Sequence, residues 1–201
     1  MHNRRTFLQA VAAASSVSVS GGVIGMWPSG VLAATARRID LYKVVFDQGH
    51  PAAVEFGQAA KAAGLTAQAI GRDVTSLWYD DLYHRWRQGA AAIAGLTPAR
   101  VAFCLQVLGQ DAGLRMVFRA QHTPLSDGRL EHRLTGPSSV LERAALLDSG
   151  AGWSRGAAAL VGHCPAELSS RRTLALTSVS ATGFAFREPL VSWVIAPASH
   201  A

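Results

Sequence analysis

Lysine is nearly missing from this chain, with only Lys43 and Lys61 against seventeen arginines, and the arginines never run longer than two together. A nucleic-acid binder carries a basic stripe or cluster, so that class is excluded. Long apolar runs are missing as well. The stretches 101–108 and 189–196 fall well short of the ~20 residues that a membrane-spanning helix needs. Catalytic signatures are also lacking. There is no Gly-x-Ser-x-Gly elbow, no Gly-x-Gly-x-x-Gly after the first strand and no Cys-x-x-Cys-His for covalent haem. His50, His122, His163 and Cys164 are too widely spaced to form a metal signature, so no metal is expected and any cofactor is left open.

Cysteine is scarce. Cys104 lies in the apolar pattern Val101-Ala102-Phe103-Cys104-Leu105 and reads as a small buried hydrophobe; Cys164 follows His163 in a turn-like context. A bridge between them is allowed in an oxidising compartment, but spacing does not establish its geometry.

The N-terminus is richer in information. Arg4-Arg5 is followed at fixed spacing by Phe7 and Leu8, then by an uncharged Ala/Ser/Val/Gly-rich stretch over 7–26. Small residues then offer cleavage after Ala33 or after Ala36. This order resembles the bacterial twin-arginine (Tat) export signal, with Asn3 where that family more often has Ser or Thr. The resemblance covers only residues 1–36. It implies recognition by the Tat translocase, a periplasmic destination and passage in the folded state, often with a cofactor or partner subunit bound. The 7–26 stretch is too mildly apolar for a permanent anchor. Without Arg4 and Arg5 the remaining 17 basic residues face 13 acidic ones, a modest excess.

Residues 37–201 are long enough for one domain with a proper core. Leu41–Phe46 is β-branched and aromatic, a strand candidate. Pro51 then suits the first turn of an amphipathic helix that Gly64 closes. Short strands at 66–70 and 90–95 flank a helix running from Asp73 or Thr75 to Gln88. Thr97 reads as an N-cap with Pro98 at the first helical position, and Gly113 ends that helix. Strand 114–120 follows. The turn Asp127-Gly128 folds Arg129–Leu134 back on it, residues 138–148 are helical, and strands 173–179 and 189–196 close the chain through Gly183. Alternating strands and helices predict a three-layer α/β domain. Its sheet is mainly parallel, with 41–46, 66–70, 90–95 and 114–120 running together, helices on both faces and antiparallel strands near the C-terminus.

In an open parallel sheet, ligands bind beyond the carboxyl ends of the strands. That rule selects Asp47, His50 and His122 as candidate catalytic residues and Gln48, Arg72, Asp73, Thr97 and Gln121 as candidate ligand-binding residues. Helix starts at Pro51 and Pro98 would favour an anion there. Capping and turn chemistry account equally for Asp73 and Thr97. The segment Trp78–Arg87 packs four aromatics into ten residues of a chain that is 7% aromatic. As a helix it buries Trp78, Leu82 and Trp86, pairs Asp81 with Arg85 outside and leaves Tyr79, Tyr83, His84 and Arg87 as a candidate partner-facing surface, rich in hot-spot residue types. Two functions are compatible with this pattern. One is an exported accessory or small-ligand-binding protein partnering a larger periplasmic enzyme; the other is a small enzyme using the Asp/His rim on an anionic substrate.

Overall fold

A computed structural model describes residues 37–71, 73–149, 152–167, 170–179 and 188–197; the leader, Arg72 and Gly183 lie outside them. The apolar stretches that read as strands assemble one seven-stranded sheet: β1 (Leu41–Asp47), β2 (Ala67–Ile70), β3 (Ala92–Pro98), β4 (Leu114–Pro124), β5 (Arg129–Pro137), β6 (Arg171–Val179) and β7 (Leu190–Pro197). Their order is β2-β1-β3-β7-β4-β5-β6.

β1 runs parallel to β2 and β3, whereas β7 is antiparallel to both β3 and β4. β4 therefore points the same way as β1, β2 and β3, as the alternation predicted. It does not pair with any of them, because β7 is inserted between β3 and β4. Parallel ladders are confined to β2-β1-β3, and the rest of the sheet is antiparallel. Composition explains the insertion: Leu190–Ala196 is buried on both faces, and such a run belongs at the centre of a sheet. The hairpin expected at Asp127-Gly128 is present, with β5 paired to β4.

Helices cover both faces. On one lie α1 (Pro51–Ala62), α5 (Ser138–Leu141), a 3-10 turn (Ala144–Asp148) and α6 (Trp153–Gly162). They enclose Phe46, Phe56, Phe118, Leu134 and Leu160. The other face carries α4 (Ala99–Gln110) and a helical stretch made of α2 (Thr75–Leu77), a π-helical turn (Trp78–Leu82) and α3 (Tyr83–Arg87). This second core contains Leu82, Trp86, Leu105 and Trp193. Each fully buried large side chain of this kind contributes roughly 1.5–3 kcal/mol.

Local signals mostly act where they stand. Pro51 opens α1, and Gly64 follows its end at φ +83°, a left-handed position that suits glycine. Two details differ from the sequence reading. β3 extends through Pro98, so Thr97 is a buried strand residue and caps nothing. The segment 138–148 breaks into α5 and the 3-10 turn.

Candidate functional site

The carboxyl ends of β1 and β3 lie side by side, with Phe46 in register with Leu96, so Asp47 neighbours Thr97. The chain leaves β1 into α1 on one face and leaves β3 into α4 on the other. This is the divergence at which open α/β sheets bind ligands. Asp47 is only 2% exposed. Its Oδ1 accepts the Gly49 N–H at 2.7 Å and lies 3.3 Å from His50 Nδ1. Asp47 Oδ2 and His50 Nδ1 are buried and have no hydrogen-bond partner among the described residues. The Thr97 hydroxyl is committed, accepting from Trp193 Nε1 at 3.0 Å and donating to the Pro98 carbonyl at 3.2 Å.

The remaining rim candidates disperse. Gln48 is exposed. Asp73 accepts from the Thr75 N–H and hydroxyl at 2.9 and 2.6 Å, and those bonds hold its carboxyl below the usual range; this is a local turn contact. Gln121 bonds to Thr123 at 3.4 Å and, by strand alternation, faces away from His122.

His122 does not join the rim. It is fully buried on the α6 face, where its Nδ1 lies 2.6 Å from His132 Nδ1. The outer nitrogens complete a chain: His122 Nε2 to Ser192 Oγ at 2.9 Å and His132 Nε2 to Ser178 Oγ at 2.7 Å. Trp153, the first residue of α6, lies over His122 with ring centroids 4.5 Å apart. One imidazole must donate across the Nδ1 contact and the other accept, so the rings are neutral and of complementary tautomer. Burial pushes His132 down to about 4 against the pull of Asp148, and burial with the neighbouring ring pushes His122 well below its ordinary value. His122 is thus a member of a satisfied polar network joining β7, β4, β5 and β6.

The aromatic segment also departs from simple helical spacing. Leu77, Leu82 and Trp86 are buried and Trp78 is half-buried, because the π turn widens the helix at 78–82. Asp81 turns toward β1 instead of pairing with Arg85. It accepts the Tyr42 hydroxyl at 2.6 Å and pairs with Lys43. Burial works to raise the Asp81 carboxyl, but these bonds outweigh it and hold it below its usual value. The same hydrogen bond raises Tyr42. Tyr79 is 63% and Tyr83 37% exposed, and His84 and Arg87 are also at the surface. Arg87 donates to the Tyr83 hydroxyl at 2.8 Å.

Freed from Asp81, Arg85 sits with its guanidinium 5.3 Å from the Tyr42 ring centre. It borders a cavity of about 420 Å³ at the opposite edge of the sheet, where β1 and β3 begin. Arg37, Arg38, Asp40 and Tyr42 line it with Arg85, and Ala90, Ala91, Ala92, Ala196 and Pro197 supply apolar walls. The 37–39 segment is pinned by Ile39 N–H to Cys164 O at 2.8 Å and Ala166 N–H to Arg37 O at 2.7 Å. None of the three arginines forms a salt bridge with a described residue. Sequence reasoning missed this place because its charges lie at 37–38 and 85, and because Arg85 had been given to Asp81 by helical spacing.

Both cysteines are free thiols. Cys104 is exposed on α4, not buried, since Val101, Ala102 and Leu105 form the inward face; Cys164 is buried and its thiol pushed up to about 12. No three His, Cys, Asp or Glu side chains gather as a metal-holding group among the described residues, and no described helix is long and apolar enough to cross a membrane. Comparison with known proteins finds no family model, no curated protein and no solved structure that matches this chain.

Proposed function

We propose that this protein is exported by the Tat route and acts in the periplasm as a small-ligand-binding accessory protein. The cavity of about 420 Å³ bordered by three arginines without salt bridges to described residues carries this reading. Its size lies within the 300–1,000 Å³ typical of small-molecule sites. Dispersal of the rim candidates supports binding over catalysis: His122 is locked in a buried network and Thr97 is committed, leaving no nucleophile beside Asp47. Native mass spectrometry of the exported protein tests the reading. A co-purifying small molecule is expected, and it should be lost in Arg38→Ala/Arg85→Ala without a fall in melting temperature. Persistence of the same bound mass in that variant would place the ligand elsewhere.

Export rests on Arg4 and Arg5. Their joint replacement by lysine should leave the precursor in the cytoplasm; normal processing of that variant removes the periplasmic assignment. The accessory role rests on the exposed Tyr79, Tyr83, His84 and Arg87. Tyr83→Ala should weaken capture of a partner by about 2 kcal/mol or more while leaving the melting temperature in place.

The unpartnered Asp47 Oδ2 and His50 Nδ1 favour a second reading, a small enzyme in which this pair exchanges a proton with substrate. Asp47 Oδ1 already accepts the Gly49 N–H, so a substrate hydroxyl or amine donating to Oδ2 suits the pair. If Asp47→Asn leaves every function of the exported protein intact, this reading fails.

A further inference from the structure

We propose that the ligand of the arginine-lined cavity is a small organic dianion: two acidic groups, carboxylate or phosphate, on a short apolar body. This deepens the ligand-binding reading and depends on it.

The charge arrangement is specific. Three guanidiniums, of Arg37, Arg38 and Arg85, border the cavity with one carboxylate, Asp40, leaving an excess of two positive charges. Asp81, four residues before Arg85, is already matched by Lys43 and by the Tyr42 hydroxyl, so it does not neutralise Arg85. Among the described residues the side chain of Arg85 makes one hydrogen bond, a long one of 3.5 Å to the Gly89 carbonyl. The cation–π contact with Tyr42 engages the guanidinium without using its N–H donors. Arg37 and Arg38 border the cavity from a separate segment, whose backbone is fixed by its pairing with Cys164 and Ala166. Guanidinium forks match carboxylate and phosphate oxygens in pairs, and forks supplied by two separate segments, 37–38 and Arg85, suit two acidic ends. Apart from Tyr42, isoleucine, alanine and proline side chains form the remaining lining. They ask no hydrogen bonds of the ligand body, and the volume is at the lower end for small-molecule sites. A neutral or cationic ligand would leave the excess positive charge at the cavity uncompensated.

Calorimetric titration of the exported protein with succinate, glycerol 3-phosphate, inorganic phosphate and the neutral isostere succinamide tests this. At least one organic dianion should bind, weakening as salt is raised, with succinamide at least tenfold weaker. Arg85→Gln and Arg38→Gln should each lower that affinity about tenfold or more, and Asp40→Asn should raise it. The Asp40→Asn gain guards against loss of fold being mistaken for loss of binding. Comparable binding of succinamide would overturn the dianion inference yet keep the cavity as a ligand site. Inorganic phosphate binding as tightly as both organic probes would overturn the organic body. No heat with any probe, and no response to the arginine variants in mass spectrometry, would overturn both this inference and the ligand-binding reading. Succinate against glycerol 3-phosphate decides between two carboxylates and a phosphate monoester.

Discussion

At the β2-β1-β3 end of the sheet both faces lie under helices, and β3 is buried at every residue from Ala92 to Pro98. At the β5-β6 end only the α6 face is covered. β5 accordingly alternates, with Leu130, His132 and Leu134 buried while Arg129 and Arg133 are exposed. The two ends place polar chemistry differently as a result. Where both faces are closed, polar side chains are displaced to the strand ends: Asp47 and His50 at one edge, Tyr42 and the arginine-lined cavity at the other. Where one face is open, most polar residues simply turn outward. The few that turn inward, His122, His132, Ser178 and Ser192, satisfy one another. Buried polar groups that are fully paired hold strands in register. Those left unpaired at a strand end are where a ligand has something to gain.

The comparison can be broken first at its seam. Trp193 on β7 is completely buried between the two ends and donates to Thr97. Trp193→Ala should cost about 3–5 kcal/mol in denaturant unfolding while keeping a single transition. Two separate transitions would mean that the ends fold independently.

Acid should act on the antiparallel end. The unfolded chain binds protons to both histidines from about pH 6.5 downward, whereas the folded chain resists until about pH 4 at His132, and burial also holds His122 well below its ordinary value. Because the unfolded state binds more protons in that window, stability is complete above pH 6.5 and declines as the pH falls toward 4. His132 alone accounts for about 3 kcal/mol of this decline. Urea midpoints measured across that range should follow this slope in the native chain and flatten in His122→Phe/His132→Phe. An unchanged slope in the double variant would assign the acid sensitivity elsewhere.

A smaller effect separates paired from unpaired groups. Ser178→Ala removes the partner of His132 Nε2 and should cost about 1–3 kcal/mol. Asp47→Asn keeps an acceptor for the Gly49 N–H and removes a buried charge, so it should change stability by less than ~1 kcal/mol, in the direction of a gain. A large loss for Asp47→Asn would make that residue structural and reverse the contrast.

Much of the fold was legible because its signals are local. Alternation and β-branching marked the strands, Pro51 opened a helix, Gly64 closed it, and Asp127-Gly128 made the turn. The histidine pair was within reach too. The β4–β5 hairpin closes around Asp127, and strand alternation then sets His122 opposite His132. Reading the histidines one at a time hid it. Helical spacing misled at Asp81, because a π turn shifts the phase by one residue, and at Cys104, which falls just outside the inward stripe of α4.

The sequence by itself determined an α/β chain with helices on both faces of one sheet, the leader-like arrangement at its start and the exposed tyrosine–arginine surface on the 75–87 helix. Each depends on periodicity or on residues within a turn or two of one another. Only the tertiary structure decided that the C-terminal strand divides β3 from β4, that His122 leaves the rim for a buried network, and that Arg37, Arg38 and Arg85 share a cavity. Strand partners are chosen by burial on both faces at once, a property of the assembled sheet. Charges 47 residues apart in the chain meet only after that choice has been made.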